Sequence, residues 1–224
     1  MQTLTVKDPL SFGWNKFKSR PWLFVQAGLV LLLANIAVSV VQSLFEAGSE
    51  VGEGTILVLG SLLSMIFGIA ASMLMSMGET AFFLRAHDSV QDTSLRMLWH
   101  PHPFWKFVAA TLLAGVLIFL GLILLIVPGI ILGILFMFVG YLVIDKNLEP
   151  IDALKQSWAM TKGSRWTLFF LGLALLGLNI LGFIALIVGL FVTIPVSFLA
   201  TVHAYRVLSK SEAVQETVLV PETV

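Results

Sequence analysis

The sequence predicts an all-α polytopic membrane protein: six transmembrane helices arranged as three hairpins, each preceded by a cytoplasmic interfacial amphipathic helix. Three observations carry that reading. The 224-residue chain is 58% hydrophobic and 12% charged, with mean hydropathy +0.98, whereas soluble domains are roughly 25% charged. Its apolar regions have the lengths of one or two bilayer crossings, since about 20 residues at 1.5 Å each cover a hydrocarbon core of about 30 Å. Once these regions are read as spans, all 13 Lys and Arg residues fall on one side, which the positive-inside rule makes the cytoplasm.

The leader DPLSFGWNKFKSRPWLF, Asp8 to Phe24, puts Leu10, Trp14 and Phe17 at helical spacing, as expected of a helix lying flat at the headgroup boundary. Single spans follow from Trp22 to Phe45 and from Gly54 to Gly78, joined by the acidic connection EAGSEVGE. The regions Phe107 to Ile144 and Trp166 to Tyr205 are each about twice the length one crossing needs and are read as hairpins. The expected spans are about 22–45, 55–78, 107–127, 130–144, 166–186 and 190–208, within one domain of residues 1–208 that ends in a disordered cytoplasmic tail, 209–224. Pro128-Gly129 is the expected turn of the middle hairpin, because Pro lacks the N–H that continues a helix and Gly tolerates reversing dihedrals.

Cations then alternate with spans. Lys7, Lys16, Lys18 and Arg20 precede the first; Arg85, Arg96 and Lys106 lie between the second and third. Lys146, Lys155, Lys162 and Arg165 lie between the fourth and fifth, and Arg206 and Lys210 close the series. Both termini are therefore expected in the cytoplasm. Were Phe107 to Ile144 a single kinked span, this bias would collapse.

The cytoplasmic segments resemble one another. Glu149 to Phe169, EPIDALKQSWAMTKGSRWTLF, repeats the leader's acid-Pro-aliphatic start and its Ser-Arg, Trp, Leu-Phe ending; Leu95 to Phe107, LRMLWHPHPFWKF, shares only the ending. These read as three copies of one unit, an internal repeat. In the third, Asp145 or Glu149 can cap the helix, Pro150 suits its first turn and Gly163 ends it. Ile151, Leu154 and Trp158 form the expected apolar face.

The stretch LLIVPGIILGILFMFVGYLVIDKNLEPIDALKQSWAMTKGSRWTLF, Leu124 to Phe169, resembles the shared core of bacterial polytopic proteins that includes the YciC-like inner-membrane proteins and the membrane domain of some glycerophosphoryl diester phosphodiesterases. The matching parts are the Ile-Val-Pro-Gly-Ile-Ile run, Asp145 at the end of the fourth span, Ala153 and Ser157 four residues apart, Lys162-Gly163 and Phe169. The resemblance implies a six-helix protein of the bacterial cytoplasmic (inner) membrane. It implies no activity, because the phosphodiesterase chemistry belongs to a separate soluble domain.

Few residues could carry chemistry. An ionisable group inside a span is a functional candidate because charge at the bilayer centre costs several kcal/mol. Glu79 near the inner end of the second span and His203 and Arg206 near the end of the sixth form one such inner-face cluster, read as a Glu79–Arg206 pair with His203 nearby. A proton or anion path is the sharper meaning; a snorkelling pair that locks the bundle is preferred. His100 and His102, with His87, Asp88 and Asp92, read as a solvated loop rather than a metal site. Gln26, Asn35, Gln42 and Asn179 are expected to bond between helices. A collar of Trp14, Trp22, Trp105, Trp158 and Trp166 beside Lys16, Lys18, Arg20, Lys106, Lys162 and Arg165 is placed to meet anionic phospholipid headgroups.

No nucleophile-base pair, phosphate-cradling loop or metal quartet is present, the composition is not that of a nucleic-acid binder, and no cofactor is expected. The absence of Cys removes disulfide and thiolate chemistry. The expected function is a non-enzymatic structural, lipid-interacting or partner-interacting module, with another membrane protein as a candidate partner. A small-solute transporter or channel subunit is the alternative, with Pro195, Thr193 and Ser197 its only broken-helix candidate.

Overall fold

The computed structural model describes residues 4–50, 55–99, 103–185 and 189–219, and among these it is helical without strands. The helices are α1 (Lys7–Ser19), α2 (Pro21–Glu50), α3 (Thr55–Asp88), α4 (Phe104–Leu124), α5 (Ile126–Phe136), α6 (Val139–Lys146), α7 (Pro150–Thr161), α8 (Arg165–Ile184) and α9 (Leu190–Leu219). Six stretches are long and apolar enough to cross a membrane: Pro21–Phe45, Val58–Asp88, Phe104–Leu124, Ile126–Lys146, Arg165–Ile184 and Leu190–Glu212. Their outer surfaces carry large apolar side chains, among them Leu33, Ile66, Phe119, Ile123 and Phe183. An apolar mantle of this extent suits hydrocarbon as its solvent.

Consecutive spans pack in pairs, α2 along α3, α4 along α5 and α8 along α9. The middle pair turns earlier than the sequence suggested. Leu125 is the extended residue between the helices (φ −165°, ψ 149°), whereas Pro128 and Gly129 already lie in the first turn of α5. There Pro's missing N–H costs nothing, since first-turn amides have no helical partner. Gly129 serves closeness instead: a Cβ on it would stand 2.8 Å from the backbone nitrogen of Leu122, and one on Gly121 would stand 3.1 Å from the Gly129 Cα. Backbone approach of this kind is a common device for joining helices in lipid.

The fourth span is broken at Met137 and Phe138, between α5 and α6. Such a break strips carbonyls in the last turn of α5 of their helical donors. α7 supplies one replacement, since the Ser157 hydroxyl donates to the Leu135 carbonyl at 2.6 Å in a fully buried contact. Ala153, Ser157 and Thr161, four residues apart and all 0% exposed, let α7 come this close. Leu154 is buried beside them, whereas Ile151 and Trp158 of the expected apolar face point outward from the bundle. Glu149 stands at the cap position without a side-chain cap bond, and Pro150 opens the helix. Gly163 follows with φ 90°, the left-handed conformation that glycine adopts freely.

α1 rests on α9. Its buried residues are Pro9, Gly13 and Phe17, with Leu10 packed at the core's edge and Trp14 exposed. A Cβ at Gly13 would come 2.6 Å from the Val196 carbonyl oxygen, so the seat requires glycine. The middle leader differs from its relatives in being a short 3-10 turn, Leu95–Trp99, not an α-helix. At the other end of the chain α9 continues to Leu219, so 209–219 is helical where a disordered tail was expected; 220–224 lie outside the described residues.

Candidate functional site at the basic end of the bundle

α3, α6 and α9 meet at one face of the bundle and contribute there to one polar network. α3 ends in Asp88 and α6 carries Asp145 one residue before its end. A carboxylate at a helix C-terminus meets the negative end of the dipole and is unfavourable alone. Arg206, from α9, answers both. Its Nη2 donates to Asp88 Oδ2 at 2.6 Å and its Nη1 to Asp145 Oδ2 at 2.7 Å, with the Arg206 and Asp145 side chains only 21% and 20% exposed. The neighbouring Tyr205 hydroxyl donates to the same Asp145 oxygen at 2.7 Å, and its ring, fully buried, stacks on Tyr141 of α6 with centroids 5.6 Å apart.

Two histidines extend the network. His87 Nδ1 lies 3.1 Å from Asp88 Oδ1 and its Nε2 lies 3.2 Å from His203 Nδ1. A carboxylate only accepts, so Nδ1 of His87 carries a proton; the lone pair of neutral Nε2 then accepts from Nδ1–H of His203. These tautomers are assigned from the bonding pattern. Phe12 of α1 lies over the pair, 4.2 Å from the His203 ring and 4.6 Å from the His87 ring. One network thus ties α1, α3, α6 and α9.

The expected Glu79–Arg206 pair is corrected by this geometry. Arg206 is held by Asp88 and Asp145, and among the described residues Glu79 has no hydrogen-bond or ion-pair partner. Glu79 stands nine residues before Asp88 in α3, about 13.5 Å along the helix axis, and lines a crevice elsewhere. The right acids were missed because both sit beyond the hydrophobic runs. The signal that could have found Asp88 is an uninterrupted run, free of Gly and Pro, from Glu79 onward. His203 does belong to the cluster, joined by Tyr205 and His87. His100 and His102 lie outside the described residues, and among the described residues no three His, Cys, Asp or Glu side chains converge to hold a metal ion.

Of the collar, Trp105 (79%), Trp166 (76%) and Trp22 (68%) are the most exposed rings, with Trp14 and Trp158 half-exposed. Two of its cations are engaged. Arg20 donates to the carbonyls of Val90 and Gln91 at 3.0 and 3.3 Å, and Lys106 pairs with Glu149 at 2.8 Å. Lys18 stands over the Trp14 ring at 5.0 Å and Arg165 over Trp158 at 5.5 Å. Of the expected interhelical amides, Asn179 reaches Ser197 on α9 at 2.9 Å and Gln42 reaches the Ser64 carbonyl of α3 at 3.4 Å. Asn35 bonds within its own helix, to Leu31.

Comparison with known proteins adds kinship without activity. The family described as "Protein of unknown function (DUF975)" matches residues 105–212, a stretch that contains Asp145, Ser157, Tyr205 and Arg206 but not Glu79 or Asp88. Uncharacterized protein Mb2590 of Mycobacterium bovis is 25% identical over 229 residues, covering 94% of this chain and 70% of its own. Uncharacterized protein Rv2560 of Mycobacterium tuberculosis is 24% identical over the same shares. No solved structure matches.

Proposed function

We propose that this chain is a non-catalytic integral module of the bacterial cytoplasmic membrane, with both termini in the cytoplasm, that holds anionic phospholipid headgroups at its basic end. The observation that carries the reading is the coincidence, at one end of the bundle, of exposed Trp rings with cations that no acid neutralises. Lys16, Lys18, Lys162 and Arg165 are in no ion pair among the described residues. Each basic residue close to an anionic leaflet contributes about 1 kcal/mol of attraction, so the four together supply about 4 kcal/mol. Trp favours the same depth. The Arg206 network is then a structural lock that fixes the three helix pairs beneath this collar, and the three leader elements are read as repeats of one interfacial unit. The resemblance of Leu124 to Phe169 to YciC-like proteins supports the same membrane and a role without chemistry of its own.

The test compares thermal stability of the protein in nanodiscs of phosphatidylglycerol and of phosphatidylcholine. Stabilisation by the anionic lipid is expected, with most of it removed in Lys162→Gln/Arg165→Gln. An unchanged lipid preference in that double variant overturns the headgroup site and leaves these residues only a part in orientation.

A further inference from the structure

Glu79 lies within a membrane-spanning helix and, among the described residues, makes no hydrogen bond or ion pair to the Arg206 network. A carboxyl at such depth is costly unless something there receives it. It is half-buried and lines a crevice of about 280 Å³ between α2, α3 and α9, together with Phe24, Asn35, Phe83, Phe191 and Pro195. The lining on α2 runs from Phe24 to Asn35, about 16 Å of helix. Leu32 and Ile194 on its rim are exposed on the apolar mantle, so the crevice opens toward lipid.

The crevice is rich in acceptors. Glu79 contributes its carboxyl. Pro195 sits inside α9 and has no N–H, so the Phe191 carbonyl four residues earlier loses its helical donor. One N–H of the Asn35 amide donates to the Leu31 carbonyl at 2.9 Å, and its side-chain oxygen can accept. The ring of Phe191 lines the crevice beside these groups, while the buried rings of Phe24 and Phe83 stack on each other and on Phe17 and Phe198 and form its wall. A carboxyl beside further oxygen acceptors, set in an apolar space, is the chemistry that receives an ammonium ion. A divalent metal would take about six to eight oxygen ligands, far more than three groups among phenyl rings provide. Volume narrows the choice further, since small-molecule pockets run from about 300 to 1,000 Å³ and this one is slightly smaller.

We propose that the crevice is a lipid-accessible binding site for the head of a small amphiphilic ammonium ion, with Glu79 as its counter-charge. This site is independent of the headgroup collar and lies on different helices from Lys162 and Arg165. The probe is tritiated benzyltrimethylammonium, with neopentylbenzene as its uncharged carbon isostere, added to the full chain in phosphatidylcholine nanodiscs. Saturable binding of the ammonium ion is expected, undisturbed by equal neopentylbenzene. Glu79→Gln, nearly isosteric, should weaken it at least about tenfold, equivalent to roughly 1.4 kcal/mol. Ile194→Trp, which fills the rim and keeps the carboxyl, should weaken it comparably, whereas Lys162→Gln/Arg165→Gln should leave it unchanged. Absence of saturable binding to the unsubstituted protein overturns the proposal. So does a Glu79→Gln protein, melting as the parent does, that binds the cation equally well.

Discussion

Arg206→Gln removes the one cation between two helix ends and tests the network most directly. Asp145 is four-fifths buried, so its bond to Arg206 belongs with hydrogen bonds to charged groups, worth about 1.5–3 kcal/mol. The Asp88 side chain is 46% exposed, and solvent screening reduces that pair to about 0.2–1 kcal/mol. The sum is about 3 kcal/mol, which at roughly 2–4 °C per kcal/mol for a chain of this size lowers the melting temperature by about 6–12 °C. The assay is thermal unfolding in mild detergent, followed by tryptophan fluorescence, for Asp145→Asn, Arg206→Gln and the double variant. Contact requires a coupling energy of at least about 0.5 kcal/mol, the double variant being less damaged than the sum of the singles. The parallel cycle of Glu79→Gln with Arg206→Gln should be additive within about 0.5 kcal/mol, since the two share no partner. Additivity for Asp145 and Arg206, or coupling for Glu79 and Arg206, would refute the geometry described.

Ser157→Ala strips the Leu135 carbonyl of its donor inside a dry contact, and the unmet acceptor should cost about 1–3 kcal/mol in the same melts; a variant as stable as the parent would show that the break in the fourth span needs no support from α7. Orientation is open to thiol labelling because the chain has no Cys. Cys in place of Gly48 or Ala185 should react with an impermeant reagent applied to intact cells, and Cys in place of Ser94 or Lys155 only after permeabilisation. Labelling of the Lys155 position from outside would reverse the proposed topology.

The spans were legible because each is a run long enough to satisfy every backbone group in hydrocarbon, and no rival structure does so. What the sequence hid were contacts decided at the ends and breaks of those runs. Pro128-Gly129 looked like a turn because a Pro that opens a helix and a Pro that ends one leave the same local signature. The break at Met137 and Phe138 left no mark, since neither Gly nor Pro occupies it and its remedy comes from Ser157, 22 residues from the carbonyl it serves. How α1 and α7 sit on the bundle was not legible for one reason: periodicity weights large apolar residues, while helices seated this closely are set by Gly13, Ala153 and Ser157. Of the site, His203 and Arg206 were visible as charges at one depth; Asp88 was hidden by assuming that α3 stops where its apolar run stops.

The lock has a consequence for how the chain is made. Arg206 follows Asp88 by 118 residues, and at roughly 5–20 residues per second of synthesis it emerges about 6–24 s later. Until then the first two helix pairs stand in the membrane without the guanidinium that bonds both Asp88 and Asp145. Final closure therefore waits on the last helix, and a chain that stops before residue 206 holds its earlier spans without the guanidinium that joins Asp88 to Asp145.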